Sequence, residues 1–450
     1  MRKVILIAYY YFQKEIISTN RTTALLKYLP EFGWDVTLIT CGDKKESQLP
    51  NIIAIPNQNP LPKIAGKILN LSGLWSSPMS MQVHPERRGK KNNSRKSFLT
   101  IIISPIRKIP IPNIISNNLM LFLQSVYYSK LYLSGWHRRP YKSTLRLIDA
   151  NKYDAIISTY SPASTHEVAS HIHKTTSLPW IADYRDLWST NHIIHVSDRT
   201  HKKLEKHEAN VIRDSRYMTT VSESLATTLS EAYNKPTYFI PNGFDPEEKG
   251  IVCPLRPKFT ITYTGTLYHN KMSSILFKAI GELISENNLD DGEIDIRYYG
   301  PSVTWLDEDI RNHGLERCVK QYGVIPKEEA KEMQRSSQLL LLLGPHTEDE
   351  DGVFGGKIFE YFGASRPILA LGRDSQNVVR NILNETKAGE YFSNTDELKK
   401  AICRWYEEWK LNGSVSYHGN EEEIDKYSYR AMAKKFAELL DSLILIEKES

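Results

Sequence analysis

The chain has 450 residues, of which 40% are apolar and 25% are charged. This length exceeds what one ordinary hydrophobic core covers, so two domains are expected, and the composition excludes a disordered chain. The formal net charge of +5 is too small for the whole chain to indicate nucleic-acid binding. The four cysteines are scattered without a CxxC or Cys/His cluster, which supports neither a disulfide framework nor a zinc site and is typical of a reducing cytosol.

The first residues combine a basic pair with an apolar run, which is also how a signal peptide begins. Arg2 and Lys3 precede residues 4–12, but residues 13–15 are polar and provide no small-residue cleavage site. We therefore interpret residues 4–10 as the first strand of an α/β domain. No apolar stretch reaches the roughly 20 residues that a membrane span needs, so we expect no segment that crosses a bilayer.

Strand and helix patterns alternate through the first half of the chain. The predicted strands are residues 4–10, 35–40, 155–158, 180–183 and 218–221, and the predicted helices are residues 19–29, 164–173, 201–214 and 223–232. This alternation predicts a parallel sheet with helices on both faces. A long irregular stretch, residues 51–141, interrupts the alternation as an insertion.

The same alternation restarts after Pro254. The predicted strands are residues 259–263, 295–300, 318–322, 339–343 and 367–372, and the predicted helices are residues 273–286, 327–335, a helix that begins near Lys357, 395–410 and 427–447. The fold class is therefore α/β, with two Rossmann-like parallel-sheet domains, residues 1–245 and 255–410, and a terminal helical segment, residues 411–450. Ligands of such sheets lie beyond the carboxyl ends of the strands, so two facing halves predict an interdomain cleft.

Residues 344–372 carry the strongest functional signal. Gly352, Gly355 and Gly356 form a glycine-rich loop between a buried strand and the helix that begins near Lys357. Free backbone N–H groups and the positive end of the helix dipole make such a junction an anion site. The sequence therefore predicts that the ligand of this loop is negatively charged.

The first turn of the same helix adds two charged side chains. Lys357 and Glu360 are three residues apart, so they share one face of the helix. They suit a ligand with both phosphate and hydroxyl groups, such as a nucleotide sugar, and the alternative is a solvent-exposed ion pair. The bulky residues at 358, 359, 361 and 362 leave this helix little solvated surface, which favours the ligand-facing interpretation.

Three charged residues follow a predicted strand of the first half. Asp183, Arg185 and Asp186 come at its carboxyl end, where ligands of parallel sheets bind. Three charges at this place are hard to explain by packing. The alternative is an internal Asp–Arg pair that stabilises the loop.

Small residues follow the first strand of the second half. Gly265 and Thr266 let a backbone approach a ligand closely, and Lys271 lies near enough in the chain to neutralise a phosphate. The alternative is a tight turn with a solvated lysine. Two other motifs have a local explanation: Ser222 is typical of a helix cap, and Asn242-Gly243 predicts a turn because Asn-Gly favours positive φ.

Asp-x-Asp patterns occur twice, and some sugar transferases hold a divalent metal with this motif. Asp307 and Asp309 lie in a polar segment before a predicted helix and are interpreted as a solvated face. Asp349 and Asp351 lie in the glycine-rich loop, where Asp351 is a candidate for hydrogen bonds to sugar hydroxyls. No metal is expected, because the helix dipole and lysines already supply positive charge.

Within the insertion, residues 84–108 contain eight basic side chains and one acid, Glu86, beside apolar runs. Two interpretations stay open. One is a flexible solvated loop, and the other is a patch for an anionic membrane surface or an anionic acceptor, with roughly 1 kcal/mol available per basic side chain near the surface. Nucleic acid is not expected as a partner, because the basic stretch lacks interleaved stacking aromatics.

Several of these segments, in this order, resemble the retaining GT-B glycosyltransferases of the family-four type, with a glycosyltransferase-four-like amino-terminal domain and a group 1 glycosyl transferase carboxyl domain. Each segment alone is a weak signal, but their order and spacing together are specific, and they extend from Val4 to about Arg430. The matching residues are Trp136, 161–164, 183–188, 221–223, 241–245, 263–267 and 356–361.

The resemblance implies transfer of a sugar from a nucleotide-sugar donor to a glycan or lipid-linked acceptor, with retained anomeric configuration and without a metal or other cofactor. Our leading hypothesis is therefore a cytoplasmic glycosyltransferase of surface polysaccharide or glycolipid biosynthesis that works at the inner face of the membrane. The donor is expected on the carboxyl half, the acceptor on the amino half, and the terminal helices are expected to brace the amino-terminal domain. The implied roles are catalysis for Asp183, Arg185 and Asp186, donor binding for Gly265, Thr266, Lys271, Gly355, Gly356, Lys357 and Asp351, and ribose binding for Glu360.

The chain departs from this family in two places. The family pattern expects an acid eight residues before Glu360, where this chain has Gly352, so that Glu350 or Asp351 is the alternative. A glycine-rich amino-terminal loop is replaced by the aromatic residues 9–12. A nucleotide-sugar epimerase on the same fold and a non-catalytic nucleotide-binding subunit are the alternative functions, whereas an oxidoreductase is disfavoured because no strand is followed by GxGxxG.

Overall fold

The computed structural model describes a protein of two parallel sheets. The residues that it describes are 1–12, 18–42, 50–56, 136, 142, 146, 153–191, 196–267, 272–344, 356–373 and 378–449. The predicted insertion at 51–141 is therefore described only at residues 51–56 and at Trp136. The predicted α/β class with two Rossmann-like domains is confirmed.

Seven parallel strands form the amino-terminal sheet, in the order β3-β2-β1-β4-β5-β6-β7. The strands are β1 (Arg2–Ile7), β2 (Trp34–Cys41), β3 (Ile52–Ile55), β4 (Ala155–Tyr160), β5 (Trp180–Tyr184), β6 (Tyr217–Thr220) and β7 (Thr237–Phe239). The helices are α1 (Ser18–Tyr28), α2 (Ser164–Thr176), α3 (Asp198–Ile212) and α4 (Glu223–Tyr233). The first residues of the predicted insertion are thus the edge strand β3, because Ile52 and its neighbours pair with β2.

Both faces of this sheet are covered, which explains why β1 is apolar along its whole length. Val4 and Leu6 lie in the cluster that includes α1, whereas Ile5 and Ile7 lie in the cluster that includes α2. Alternate side chains of one strand therefore serve two different cores.

Six parallel strands form the carboxyl-terminal sheet, in the order β10-β9-β8-β11-β12-β13. The strands are β8 (Phe259–Thr264), β9 (Ile294–Tyr299), β10 (Val319–Gly323), β11 (Leu339–Leu343), β12 (Ile368–Leu371) and β13 (Gly389–Phe392). The helices are α5 (Met272–Ser285), α6 (Thr304–Asn312), α7 (Lys327–Arg335), α8 (Lys357–Ala364), α9 (Val378–Thr386), α10 (Thr395–Asn412), α11 (Glu421–Asp425) and α12 (Tyr429–Glu449).

Asp307 and Asp309 lie inside α6 rather than in a segment before a helix. Their carboxylates accept hydrogen bonds from protein donors: Gln321 Nε2 reaches Asp307 at 2.6 Å, and Ser274 Oγ reaches Asp309 at 2.8 Å. Both groups thus hold α6 against its neighbours. Their spacing resembles a metal motif only in the sequence.

The chain crosses between the two sheets twice, and the two crossings lie side by side. Phe244, in the first crossing, forms a parallel bridge with Ser428 in the second. The Phe244 N–H donates to Tyr427 O at 3.3 Å, and the Tyr429 N–H donates to Phe244 O at 2.8 Å. After the second crossing, α12 packs on the amino-terminal core, where Phe436 is fully buried.

Gly243 stands at the closest point between the crossings. The turn predicted from Asn242-Gly243 assumed a positive φ, but Gly243 does not adopt one. A Cβ atom on Gly243 would lie 2.6 Å from Tyr427 O and 2.9 Å from the Ser428 carbonyl carbon. The glycine is therefore explained by the close approach of a second backbone segment.

Candidate functional site

The strand orders locate one candidate crevice in each sheet. In the amino-terminal sheet the direction of chain progression reverses between β1 and β4, and in the carboxyl-terminal sheet it reverses between β8 and β11. Ligands of open parallel sheets bind beyond the carboxyl ends of the strands at such points. The residues that follow these four strands therefore define the candidate site.

At the carboxyl-terminal crevice, Gly265 and Lys357 lie against each other. A Cβ atom on Gly265 would be 2.4 Å from Lys357 Cε and 2.8 Å from its Nζ, so only glycine leaves the lysine this position. Gly265 also has a φ of 121°, a backbone conformation that other residues avoid. The Lys357 ammonium lies 5.2 Å from the centre of the Tyr263 ring, and Thr266 is exposed beside it.

Helix α8 begins at this crevice without a side-chain cap. Gly356 occupies the N-cap position, so the capping residue has no side chain to accept a hydrogen bond from the first N–H groups of the helix. Within the described part of the chain, the Lys357 ammonium has no hydrogen bond and no ion pair. Uncapped N–H groups and an unpaired ammonium at one place form a site for an anion.

Glu360 lies one turn further along α8, half-buried and crowded by polar groups. Burial raises the pKa of Glu360 above its ordinary value. Three lysine charges and one hydrogen bond from an amide oppose this effect; they come from Lys357, Lys327, Lys331 and Gln334. A partly desolvated carboxylate among cations and amides can accept hydrogen bonds from ligand hydroxyls.

The two halves of the molecule meet next to Glu360. Lys327 Nζ, at the start of α7, donates to Asn20 Oδ1 in α1 at 2.7 Å. Tyr429 is the first residue of α12. Burial raises the pKa of its hydroxyl, and the negative charge of Glu360 raises that pKa further. The carboxyl-terminal crevice is thus adjacent to the junction of the domains.

Asp183 lies at the end of β5, but the structure places its side chain in the protein interior, with no exposed area. Arg21 donates to both carboxylate oxygens, at 2.8 and 3.0 Å, and the hydroxyls of Thr159 and Thr219 each donate at 2.8 Å. Burial alone would raise the pKa of Asp183, but the Arg21 charge and these hydrogen bonds lower it below its ordinary value. Both carboxylate oxygens are therefore satisfied by protein donors.

Arg21 connects this buried pair to both interdomain crossings. Its Nη1 donates to Pro241 O in the first crossing at 3.0 Å. In α12, after the second crossing, the same nitrogen approaches Met432 Sδ at 3.3 Å, and the guanidinium carbon lies 5.1 Å from the centre of the Phe436 ring. The Asp183–Arg21 pair thus links the end of β5 to the first crossing and to α12.

The other two predicted catalytic residues are more accessible. Arg185 is half-buried, and its Nε donates to Tyr160 O at 2.7 Å and to Thr159 Oγ1 at 3.1 Å. Asp186 is exposed and has no hydrogen bond or ion pair to the described residues. The loop that carries them is anchored from α3, because Glu208 accepts a hydrogen bond from the Ser189 N–H at 2.8 Å.

The structure therefore brings together part of the predicted site. Gly265, Thr266, Gly356, Lys357 and Glu360 lie at one crevice, whereas Lys271, Gly355 and Asp351 lie outside the described residues. The catalytic roles of Asp183, Arg185 and Asp186 stay predictions. Sequence reasoning missed Arg21, Lys327 and Gln334, and no local motif marks them, because their partners are distant in the chain.

None of the helices in the described part of the chain is long and apolar enough to cross a bilayer. Among these same residues, no three His, Cys, Asp or Glu side chains cluster in a way that would hold a metal ion. The metal independence predicted for the reaction is a separate matter and stays a prediction.

Comparison with known proteins establishes the architecture. No protein-family model matches the sequence, and neither does any curated protein. Sucrose-phosphate synthase from Thermosynechococcus elongatus matches with a TM-score of 0.59 at 13% identity, covering 99% of this chain and 100% of that one. The fold is GT-B.

Two more GT-B structures match over nearly their whole length. A glycosyltransferase from Rickettsia africae has a TM-score of 0.54 at 13% identity, with 98% of each chain covered. A trehalose-6-phosphate protein from E. coli, solved bound with UDP-2-fluoro glucose, has a TM-score of 0.52 at 12% identity, covering 97% of this chain and 98% of that one. At this level of identity the similarity establishes the GT-B fold, and the family-four assignment stays a prediction.

Proposed function

We propose that this protein is a glycosyltransferase that moves a sugar from a nucleotide-sugar donor to a glycan or lipid-linked acceptor. The observation that carries the proposal is the ammonium of Lys357, which has no partner among the described residues and lies against Gly265 at the start of α8. The fold adds support, since its structural neighbours include a glycosyltransferase and a protein bound with UDP-2-fluoro glucose.

The chemistry follows from the charges at this crevice. An acceptor hydroxyl oxygen forms a bond to the anomeric carbon of the donor sugar, and the bond between that carbon and the diphosphate oxygen breaks. The electron pair leaves with the diphosphate, which also takes the hydroxyl proton, and attack from the face of departure retains the configuration. The α8 N–H groups and Lys357 stabilise the charge on the leaving group, so no metal ion is required.

The remaining predicted groups divide into two roles. Glu360 accepts hydrogen bonds from the ribose hydroxyls of the donor, which its half-buried position among amides and lysines permits. Arg185 and Asp186 border the reacting groups from the amino-terminal side. Asp183, whose oxygens are occupied by Arg21 and two threonines, acts as a positioning residue.

We place this activity in the biosynthesis of a surface polysaccharide or glycolipid, in the cytoplasm at the inner face of the membrane. This part of the proposal is supported by the sequence of the basic stretch at residues 84–108, which lies outside the described residues. Basic side chains beside apolar runs are attracted to anionic lipid headgroups.

The experiment that tests the proposal measures donor binding. Isothermal titration of the full chain with UDP, GDP, ADP and dTDP identifies the preferred nucleoside diphosphate. We expect Lys357→Ala and Glu360→Ala each to weaken its binding by about 10- to 100-fold, the cost of losing a hydrogen bond that involves a charge. The fold is expected to stay intact, because Lys357 is not paired within the described residues.

The matched control is Lys320→Ala, which removes an exposed lysine from the edge strand β10 of the same sheet. This variant is expected to bind as the wild type does. Unchanged affinity of Lys357→Ala for every nucleotide would overturn the proposal. Product analysis with nucleotide sugars then separates transfer from the alternatives, since an epimerase converts the donor without an acceptor and a non-catalytic subunit gives no product.

A further inference from the structure

The amino-terminal crevice, between β1 and β4, is bordered by aromatic rings. Tyr9 and Tyr10 follow β1 directly and are half-buried, with ring centres 4.9 Å apart in an edge-on arrangement. The Trp136 ring lies 5.4 Å from that of Tyr9. The Tyr9 carbonyl accepts hydrogen bonds from the Cys41 N–H and the Thr40 hydroxyl, each at 3.2 Å, which ties this aromatic segment to β2.

Arg185 brings a cation to the same crevice. Its Nε donates to Tyr160 O and to Thr159 Oγ1, which holds the guanidinium at the carboxyl end of β4. Tyr10 and Arg185 lie at the same edge of the sheet, because β4 pairs with β1 on one side and with β5 on the other. The two terminal nitrogens of Arg185 have no hydrogen bond to the described residues.

The neighbouring carboxylates leave these nitrogens available. Asp183 accepts hydrogen bonds from Arg21, Thr159 and Thr219 and forms its ion pair with Arg21, so none of these contacts involves Arg185. Asp186 attracts Arg185 through its charge but forms no ion pair with it. A guanidinium that is fixed at Nε and open at its terminal nitrogens presents two parallel donors, the geometry that a phosphate or carboxylate accepts.

We propose that the crevice between β1 and β4 is an acceptor subsite for an anionic saccharide, a sugar that carries a phosphate or carboxylate group. The anion binds the terminal nitrogens of Arg185, and the apolar C–H face of the sugar ring packs against Tyr9 and Tyr10. The inference rests on the proposed function, because it names the acceptor class of the same enzyme. A neutral sugar leaves the half-buried guanidinium without a partner and therefore binds more weakly.

The test compares three probes that differ in charge: glucose 6-phosphate, glucuronic acid and glucose. Each is titrated into the full chain, first alone and then with saturating nucleoside diphosphate, and binding is followed by saturation-transfer NMR. We expect at least one anionic probe to bind about tenfold or more tightly than glucose. The phosphate and carboxylate probes distinguish which anion the subsite takes.

Arg185→Gln is expected to reduce the ratio of the affinity for the anionic probe to that for glucose to about one. Arg185→Lys keeps part of this preference because the positive charge remains. The matched control, Arg213→Gln, removes an exposed arginine of the same domain and keeps the preference. Lys357→Ala also keeps the preference, since its cation belongs to the donor crevice. The inference is overturned if no probe shows the preference, if Arg185→Gln retains it, or if Lys357→Ala abolishes it.

Failure of the inference and failure of the proposed function have different signatures. Loss of the anion preference with intact nucleotide binding contradicts the acceptor subsite alone. Absence of nucleotide binding contradicts the glycosyltransferase proposal, while the titrations without nucleotide still decide whether Arg185 binds anionic sugars.

Discussion

The carboxyl edges of the two sheets use their charged residues in different ways. At the amino-terminal edge, Asp183 is fully buried and saturated by Arg21, Thr159 and Thr219. At the carboxyl-terminal edge, Lys357 is unpaired among the described residues and lies beside an uncapped helix start. A conspicuous charge at a strand end is therefore no evidence of ligand binding until its partners are known, because a saturated group supports structure and an unsaturated one is free to bind.

We expect the largest effect from removing Arg21, the countercharge of the buried Asp183 carboxylate. Arg21→Met leaves Asp183 buried without a countercharge, which typically costs about 3–5 kcal/mol in the free energy of unfolding. Chemical denaturation of the wild type and the variant measures this cost. The effect is expected to shrink as the pH falls, because the depressed pKa of Asp183 stabilises the wild type above about pH 3.9 and this contribution is lost as the pH falls through the lower folded pKa.

Two further variants show whether the cost of Arg21→Met comes from the unpaired buried charge. Arg21→Met combined with Asp183→Asn removes both charges and is expected to recover part of the stability. Arg430→Met is the matched control, because Arg430 makes an exposed pair with Glu31 at 2.6 Å, and such pairs contribute about 0–1 kcal/mol. Equal costs for Arg21→Met and Arg430→Met would show that the buried pair has no special structural role.

An intermediate effect is expected at the crossing between the sheets. Gly243→Ala introduces a Cβ atom 2.6 Å from Tyr427 O, so the two crossing segments have to separate. Overpacking of this kind costs about 1–3 kcal/mol in the free energy of unfolding. Gly281→Ala, in α5, is the control, since its Cβ atom would approach no nearer than 3.4 Å and alanine favours a helix. An unfolding midpoint unchanged by Gly243→Ala would contradict the close-approach explanation.

We expect the smallest effect on stability at the carboxyl-terminal crevice, from a substitution of Glu360. Burial raises the pKa of Glu360, so its ionisation destabilises the folded protein, and Glu360→Gln is expected to raise the unfolding midpoint by roughly 1–3 °C at neutral pH. Because the folded pKa is raised, the wild type loses stability relative to the variant as the pH rises through that pKa, and the two converge below about pH 4.3.

The same substitution is expected to weaken nucleotide binding, which a purely structural residue would not do. Glu329→Gln, on the exposed side of α7, is the control for the loss of one carboxylate and should change neither property. A lower unfolding midpoint for Glu360→Gln would mean that Glu360 is a stabilising ion-pair member instead of a ligand-facing group.

The sequence was most informative where the local pattern and the final environment agree. Leu339–Leu343 and Lys327–Arg335 have the predicted bounds, because an unbroken apolar run fits a strand buried on both faces and a polar run after Pro326 fits a surface helix. Strands β3, β7 and β13 were missed, since three or four residues at a sheet edge carry little periodicity. The predicted cap at Ser222 is confirmed, as its hydroxyl accepts from the Leu225 N–H.

The site was harder to predict, because its decisive contacts join distant parts of the chain. One interpretation of Asp183 from the sequence was an internal Asp–Arg pair that stabilises the loop. The structure contains such a pair, but its arginine is Arg21 in α1 and not the nearby Arg185. No local rule connects residues 162 positions apart. Likewise, the sequence around Gly243 is typical of a turn, and only the structure shows that the second crossing lies against this glycine. By contrast, Lys357 and Glu360 belong to one helix, so their spacing alone predicted a shared face.

The bridge between Phe244 and Ser428 limits how one domain can move relative to the other. Two chain segments that leave one sheet together, hydrogen-bonded to each other, permit rotation of one domain about a line through that bridge and resist sliding or separation. Tyr429 lies beside this line, because its N–H donates to Phe244 O in the bridge. Under the proposed function, such a rotation would change the separation between the amino-terminal and carboxyl-terminal crevices while the bridge stays intact.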